Sequence, residues 1–132
     1  NIDMKSFLNF LSRNKLYTFI EVVGMAVAFA DEGQISQILI NLIRNAIQAG
    51  ATTIDIVGTI EPSDAVRIDV INNGAPISRE SQSQIFIPFF STKPDGTGIG
   101  LSLSRQIMRL HNGTIRLLRS DARQTVFSLL FK

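Results

Sequence analysis

The chain has no cysteine, so disulfides, thiolate metal sites and cysteine nucleophiles are excluded. It has a single histidine, His111, which also excludes a multi-histidine metal site. Neither charge dominates: 13 basic residues stand against 11 acidic ones, a formal net charge of +2. The basic residues are scattered, and the one local cluster, Arg105, Arg109, Arg116 and Arg119, straddles a helix and a strand. Electrostatics therefore give no argument for nucleic acid as a partner. Long apolar runs are missing as well. The most apolar stretch, Phe19 to Ala30, contains Glu21 and is too short to span a bilayer, and no basic, apolar, small-residue signal opens the chain. The expectation is a domain without membrane contact of its own, compatible with a reducing cytoplasmic setting.

What is present is an ordinary folding sequence. Its 132 residues are 45% hydrophobic and 18% charged, which fits one compact domain over residues 1–132 with a core of its own. The chain opens at Asn1 without a methionine, and we read it as a piece of a longer protein. Asp3 to Asn14 reads as a short helix capped by Asp3. Leu16 to Val23 and Ala26 to Ala30 read as strands separated by Gly24. A long helix opens at Asp31 or Gly33. Ile35, Ile38, Leu39, Leu42, Ile43, Ala46 and Ile47 share one face of it, and Gly50 ends it. Strands follow at Thr53 to Ile60 and Val66 to Ile71, joined by a turn at Glu61-Pro62-Ser63-Asp64. Asn72 to Pro94 is irregular apart from a helical turn near Ser78 to Ser83. Gly98 to Leu110 forms a second helix, stopped by Asn112-Gly113. A hairpin closes the chain, Thr114 to Arg119 and Gln124 to Phe131 around Ser120 to Arg123. This order predicts an α+β two-layer sandwich, a mixed and mostly antiparallel sheet covered on one face by helices.

Four segments carry polar chemistry. Beside the apolar face of the long helix runs a seam of Gln34, Gln37, Asn41, Asn45 and Gln48. Asn45 falls at the border of the apolar arc, next to Ile38. An asparagine there costs helix propensity and risks an unpaired buried amide, so a polar partner is expected against it. Taken alone, the helix is read most simply as an Asn pair bonding a neighbouring loop, with an oxygen-ligated Mg²⁺ as the alternative. The second segment, Asp95 to Leu101, places Gly96, Gly98 and Gly100 at a helix start, where backbone N–H groups can approach an anion. No Lys-Ser/Thr follows the last glycine, so it is not a P-loop. The third, Ile71 to Ile77, is a turn whose Asn72 side chain could meet a base edge. The fourth, Ile85 to Lys93, holds three phenylalanines that need a packing site, with Lys93 beside the glycines.

In this order the four segments resemble the catalytic domain of histidine kinases, within the ATPase superfamily that includes gyrase and a heat-shock chaperone. Asn41 to Ala46 looks like the family's N box, and Asn72 to Ile77 is similar to its first glycine box. Ile85 to Phe90 matches its phenylalanine box. Gly96 to Leu101, continuing through Ser104-Arg105-Gln106-Ile107 to His111-Asn112-Gly113, matches its second glycine box and the segment beyond. The resemblance covers Ala30 to the C-terminus.

It implies the Bergerat-type ATP-binding fold with ATP and Mg²⁺ as ligands. Asn45 would ligate Mg²⁺, and Asn72 would offer its carbonyl to the adenine amino group. Gly96, Gly98 and Gly100 would cradle the phosphates, with Thr97 and Lys93 as further contacts. Asn41, Gly74, Pro76, Ile77, Phe90, Ile99 and Leu101 would complete the ATP site. Asn41 stands where ATP-hydrolysing relatives carry a glutamate, and an amide cannot serve as a base for water. That disfavours the gyrase-like and chaperone-like readings and fits a kinase.

Two positions depart from the pattern. The family usually has aspartate where Asn72 stands and glycine where Pro76 stands, which implies weak but measurable ATP binding. The implied partners are a histidine-bearing dimerisation domain and a response regulator. The parent would be cytoplasmic or anchored in a bacterial inner membrane, and the isolated domain monomeric. His111 reads as structural, so no autophosphorylation of this chain is expected. The alternatives are a degenerate nucleotide-binding scaffold and a serine kinase of the anti-sigma type.

Overall fold

The computed structural model of the chain describes residues 32–92 and 98–132. The expected N-terminal helix, the two strands before Ala30, and Lys93, Gly96 and Thr97 lie outside the described residues. Within them the order is α1 (Glu32–Gln48), β1 (Ile54–Ile60), β2 (Val66–Asn72), α2 (Arg79–Gln82), α3 (Gly100–Leu110), β3 (Gly113–Ser120) and β4 (Thr125–Phe131). The four strands form one antiparallel sheet in the order β1-β2-β4-β3. Both long helices pack on the same face of it. The result is the two-layer α+β sandwich that the element order predicts.

The core lies between that face and the helices. Strand alternation points Ile68, Val70 and Asn72 of β2 toward the helices, together with Phe127 and Leu129 of β4. They meet Ile38, Leu42 and Ile43 of α1 and Met108 of α3. Burying each large side chain contributes about 1.5–3 kcal/mol. Ile47, expected on the apolar face of α1, is 45% exposed. At 100° per residue it lies roughly 120° round the helix from Ile35, outside the arc the sheet covers.

Strand boundaries shift by a residue, with consequences at two places. β2 runs on to Asn72, which pairs with Ile54 on one side and Thr125 on the other. Asn72 is therefore held in the sheet rather than starting a loop. Gly113 is the first residue of β3 and not only a helix stop. A Cβ there would lie 2.6 Å from the Leu130 carbonyl oxygen of β4, a backbone atom, and 2.7 Å from the Met108 methyl carbon, so the fit of β3 against β4 at this point requires glycine.

Candidate functional site

Where α1 and α3 diverge above the end of β2, a cleft of about 650 Å³ opens. Of the residues implied by the sequence, Asn41, Asn45, Asn72, Pro76, Ile77, Phe90, Gly98, Gly100 and Leu101 line it. Gly74 and Ile99 do not line it, although each adjoins residues that do. Residues distant in sequence thus converge because α1, the β2 end, the phenylalanine loop and the start of α3 meet at one corner of the sandwich.

Asn41 is 6% exposed and knits the two helices together. Its amide nitrogen donates to the Gly100 carbonyl and to Ser104 Oγ, both at 3.2 Å, and its oxygen accepts from Gln37 Nε2 at 3.1 Å. Ser104, fully buried, also donates to the Gly100 carbonyl at 2.8 Å. This amide supports the cleft wall through hydrogen bonds within the protein. Asn45, one turn on, is half-buried and lines the cleft.

Asn72 sits at the closed end, 6% exposed. Its carboxamide oxygen accepts the Gly74 N–H at 2.9 Å. The backbone amide can only donate, so this bond fixes which end of the carboxamide is oxygen. The expected acceptor for an adenine amino group is thus turned back onto its own loop. Gly74 is needed for that turn: a Cβ there would lie 2.8 Å from the Ala49 Cβ and 3.0 Å from the Ala49 carbonyl oxygen. Ala75 N–H to the Ala49 carbonyl, at 2.8 Å, ties the same loop to the end of α1.

The phenylalanine loop and the second glycine segment are joined backbone to backbone. Phe89 N–H donates to the Gly98 carbonyl at 2.9 Å. Both residues are left-handed, with φ of 68° at Phe89 and 72° at Gly98. Phe89 itself is 80% exposed. Its neighbours anchor the loop: Phe86 packs edge-on against Phe127, with ring centres 6.5 Å apart, and the Arg105 guanidinium lies 5.7 Å from the Phe86 ring centre. Beyond Gly98, α3 begins at Gly100 with Ile99 at its cap position, and the apolar Ile99 side chain makes no capping hydrogen bond. That helix start opens on the cleft.

Among the cleft residues that were not anticipated, two bear on its chemistry. Arg44 is exposed on the α1 side and brings a cation to the wall. Its position between Asn41 and Asn45 was the available signal. Thr125, 3% exposed, lies beside Asn72 as its register partner and bonds Ser120 Oγ at 2.8 Å. Ser120 Oγ in turn accepts the Ile77 N–H at 2.8 Å, which steadies the cleft rim. No local pattern marks Thr125, because its importance arises from strand pairing.

A second concavity, of about 720 Å³, lies on the opposite sheet face among Glu61, Arg67, Arg116 and Ser128. Arg67 pairs there with Glu61 at 3.0 Å and Asp69 at 3.4 Å. It gathers none of the glycines or asparagines described above. Among the described residues no cluster of histidine, cysteine, aspartate or glutamate could hold a metal by itself, and no helix is long and apolar enough to cross a membrane.

Comparison with known proteins agrees with this geometry. Residues 30–132 match the family described as histidine kinase-, DNA gyrase B-, and HSP90-like ATPase. Sensor histidine kinase ZraS of Escherichia coli (strain K12) is 37% identical over 101 residues, which are 76% of this chain and 22% of that protein. The chain thus spans about a fifth of the length of the curated relatives it matches. The nucleotide-free catalytic domain of histidine kinase ThkA is 40% identical, with a TM-score of 0.66 over 77% of this chain and 68% of that one. Full-length ShkA, in complex with AMPPNP, is 25% identical with a TM-score of 0.69, over 77% of this chain and 22% of that one. With its fold that of histidine kinase catalytic domains, the chain belongs to the histidine kinase-, DNA gyrase B- and HSP90-like ATPase family.

Proposed function

We propose that this chain is the nucleotide-binding catalytic domain of a two-component sensor histidine kinase, presenting the γ-phosphate of ATP to a histidine on a separate dimerisation domain. The observation that carries the reading is the convergence of the N box, both glycine segments and the phenylalanine loop on one cleft beside the start of α3.

The roles follow from the chemistry of the wall. The first N–H groups of α3 and the positive end of its dipole suit phosphate oxygens. Arg44 adds a cation from the facing helix, and Lys93, Gly96 and Thr97 are proposed to complete the phosphate side. Asn45 offers an amide oxygen as a protein ligand for Mg²⁺, a hard cation that retains waters in phosphate sites. When bound, Mg²⁺ neutralises phosphate charge during transfer. Ile77, Phe90 and Leu101 give apolar walls against the base and sugar. Gly74 shapes the loop that holds Asn72, and Ile99 and Gly100 set the helix start. Asn41, an amide engaged with Gly100 and Ser104, offers no base for water, which suits a cleft that holds its nucleotide for transfer.

His111 closes α3, its Nδ1 lying 2.8 Å from the Ile107 carbonyl oxygen, away from the cleft residues. The accepting histidine is therefore assigned to another domain, and a response regulator to the step after it. Incubation with radiolabelled ATP and a histidine-bearing dimerisation domain tests this directly. Acid-labile label on the added domain and none on this chain is the expected result. Label on His111 would overturn the assignment. Binding without transfer would favour a scaffold, a reading supported by Asn72 and Pro76, where the family's usual aspartate and glycine are missing.

A further inference from the structure

The base end of the cleft is controlled by one carboxamide, and its orientation is determined. Asn72 Oδ1 accepts the Gly74 N–H at 2.9 Å. Rotating the carboxamide by half a turn would set its NH₂ against that N–H, donor against donor, inside a residue only 6% exposed. The tight turn, closed by Gly74 beneath Ala49, holds the arrangement.

The other end of the carboxamide is the NH₂ group. Among the described residues it has no hydrogen-bond partner. Among the described residues it is also not one of the buried side-chain polar atoms that lack a hydrogen bond, which are Arg67 Nε and Asp69 Oδ1. The nitrogen therefore reaches solvent, and the solvent beside Asn72 is the cleft. Where an aspartate would present a second carboxylate oxygen, this chain presents two N–H donors.

We infer that Asn72 makes the cleft selective for purines with a carbonyl at position 6, so that it holds a 6-oxopurine nucleoside triphosphate more tightly than ATP. The inference rests on the proposal that a purine nucleotide binds here with its base at Asn72. A 6-amino group is itself a donor and meets the Asn72 NH₂ unfavourably. A 6-carbonyl oxygen accepts from it. Thr125 Oγ1, on the paired strand, can give or take a hydrogen bond and tolerates either base. Sites that pair a buried polar group discriminate strongly against an analogue that leaves it unpaired.

The test compares Mg²⁺ complexes of ATP and inosine triphosphate, whose bases differ at the 6-position and its adjoining ring proton. Both are titrated into the native chain and into Asn72→Asp. The aspartate keeps one oxygen for the Gly74 N–H and turns the other to the cleft, and matching thermal melts would confirm an unchanged fold. The native chain should bind inosine triphosphate at least about tenfold more tightly than ATP. Asn72→Asp should reverse that order. Equal or tighter binding of ATP by the native chain overturns the inference and leaves the nucleotide site standing. A native chain that binds neither nucleotide while Asn72→Asp binds ATP overturns the inference too. Failure of both proteins to bind either nucleotide overturns the site reading, and the inference with it.

Discussion

Gly98 and Gly100 belong to the same glycine segment, yet the structure gives them different tasks, and paired alanine variants separate these. A Cβ on Gly98 would lie 2.5 Å from the Phe89 carbonyl carbon, 2.7 Å from the Phe90 carbonyl oxygen and 2.8 Å from the Phe89 Cα. All three are backbone atoms, so no side-chain rotation relieves the contact. The left-handed φ of 72° costs a non-glycine residue about 1–2 kcal/mol. Forcing the loops apart also weakens the Phe89 N–H bond to the Gly98 carbonyl, worth about 1 kcal/mol. These costs overlap, because a loop that moves relieves part of the clash while losing the bond. Gly98→Ala should therefore destabilise the chain by roughly 2–3 kcal/mol. At Gly100 the nearest atom to an added Cβ is Asn41 Cγ at 3.8 Å, an ordinary contact. Alanine is also the better helix former, so Gly100→Ala should leave stability unchanged or raise it by about 0.5 kcal/mol. Urea unfolding followed by circular dichroism reads both, and the Gly98→Ala midpoint should fall by roughly 1 M or more. A Gly98→Ala variant that unfolds with the native chain, or a Gly100→Ala variant destabilised as much, would refute the backbone-packing argument.

Asn41→Asp should destabilise the domain by about 1–3 kcal/mol in the same assay, because a carboxylate cannot donate to the buried Gly100 carbonyl; stability equal to native would show that the amide does not join the helices. The turn between β3 and β4 should carry an acid-sensitive increment. The Arg119 side chain bonded to Asp121, followed by the Gln124 and Arg123 backbone N–H groups, lowers the Asp121 pKa from 3.8 to about 2. A depressed folded-state pKa stabilises the protein above the unfolded value, and that increment is lost as pH falls from 3.8 towards about 2. Asp121→Asn keeps an oxygen for the turn N–H groups but should remove this slope from an acid titration of stability, and an identical slope in the variant would contradict the assignment.

Much of the architecture is legible in the sequence because it follows local periodicity. The spacing from Ile35 to Ala46 marks α1, and the turn signals around Glu61 and Ser120 bracket the strands. The cleft residues were legible as a set through their order and the resemblance they carry. What was not legible depends on contacts between distant segments. Gly98 looks like one more flexible glycine until the Phe89 backbone is placed against it. Thr125 gains significance from its register with Asn72, which no pattern near Gln124 announces. Asn41 was grouped with the ligand-binding residues, and only the position of α3 reveals how its amide is used. Asn72 is the clearest case: the resemblance implied that its carbonyl would meet an adenine amino group, and the fold gives that oxygen to the Gly74 N–H instead.

The central claim is that the cleft between α1, the end of β2 and the start of α3 binds a nucleotide with Mg²⁺ held by Asn45. Titration of ATP into the native chain and into Asn45→Ala, each with Mg²⁺ and with excess chelator, tests it most directly. Asn45 is half-buried on the cleft wall, so alanine leaves the core residues of α1 in place, and matched melting curves would confirm this. The account predicts measurable binding by the native chain that weakens when Mg²⁺ is removed, and binding by Asn45→Ala that is weaker and no longer depends on Mg²⁺. An undiminished Mg²⁺ dependence in Asn45→Ala, or no binding by the native chain, would contradict it.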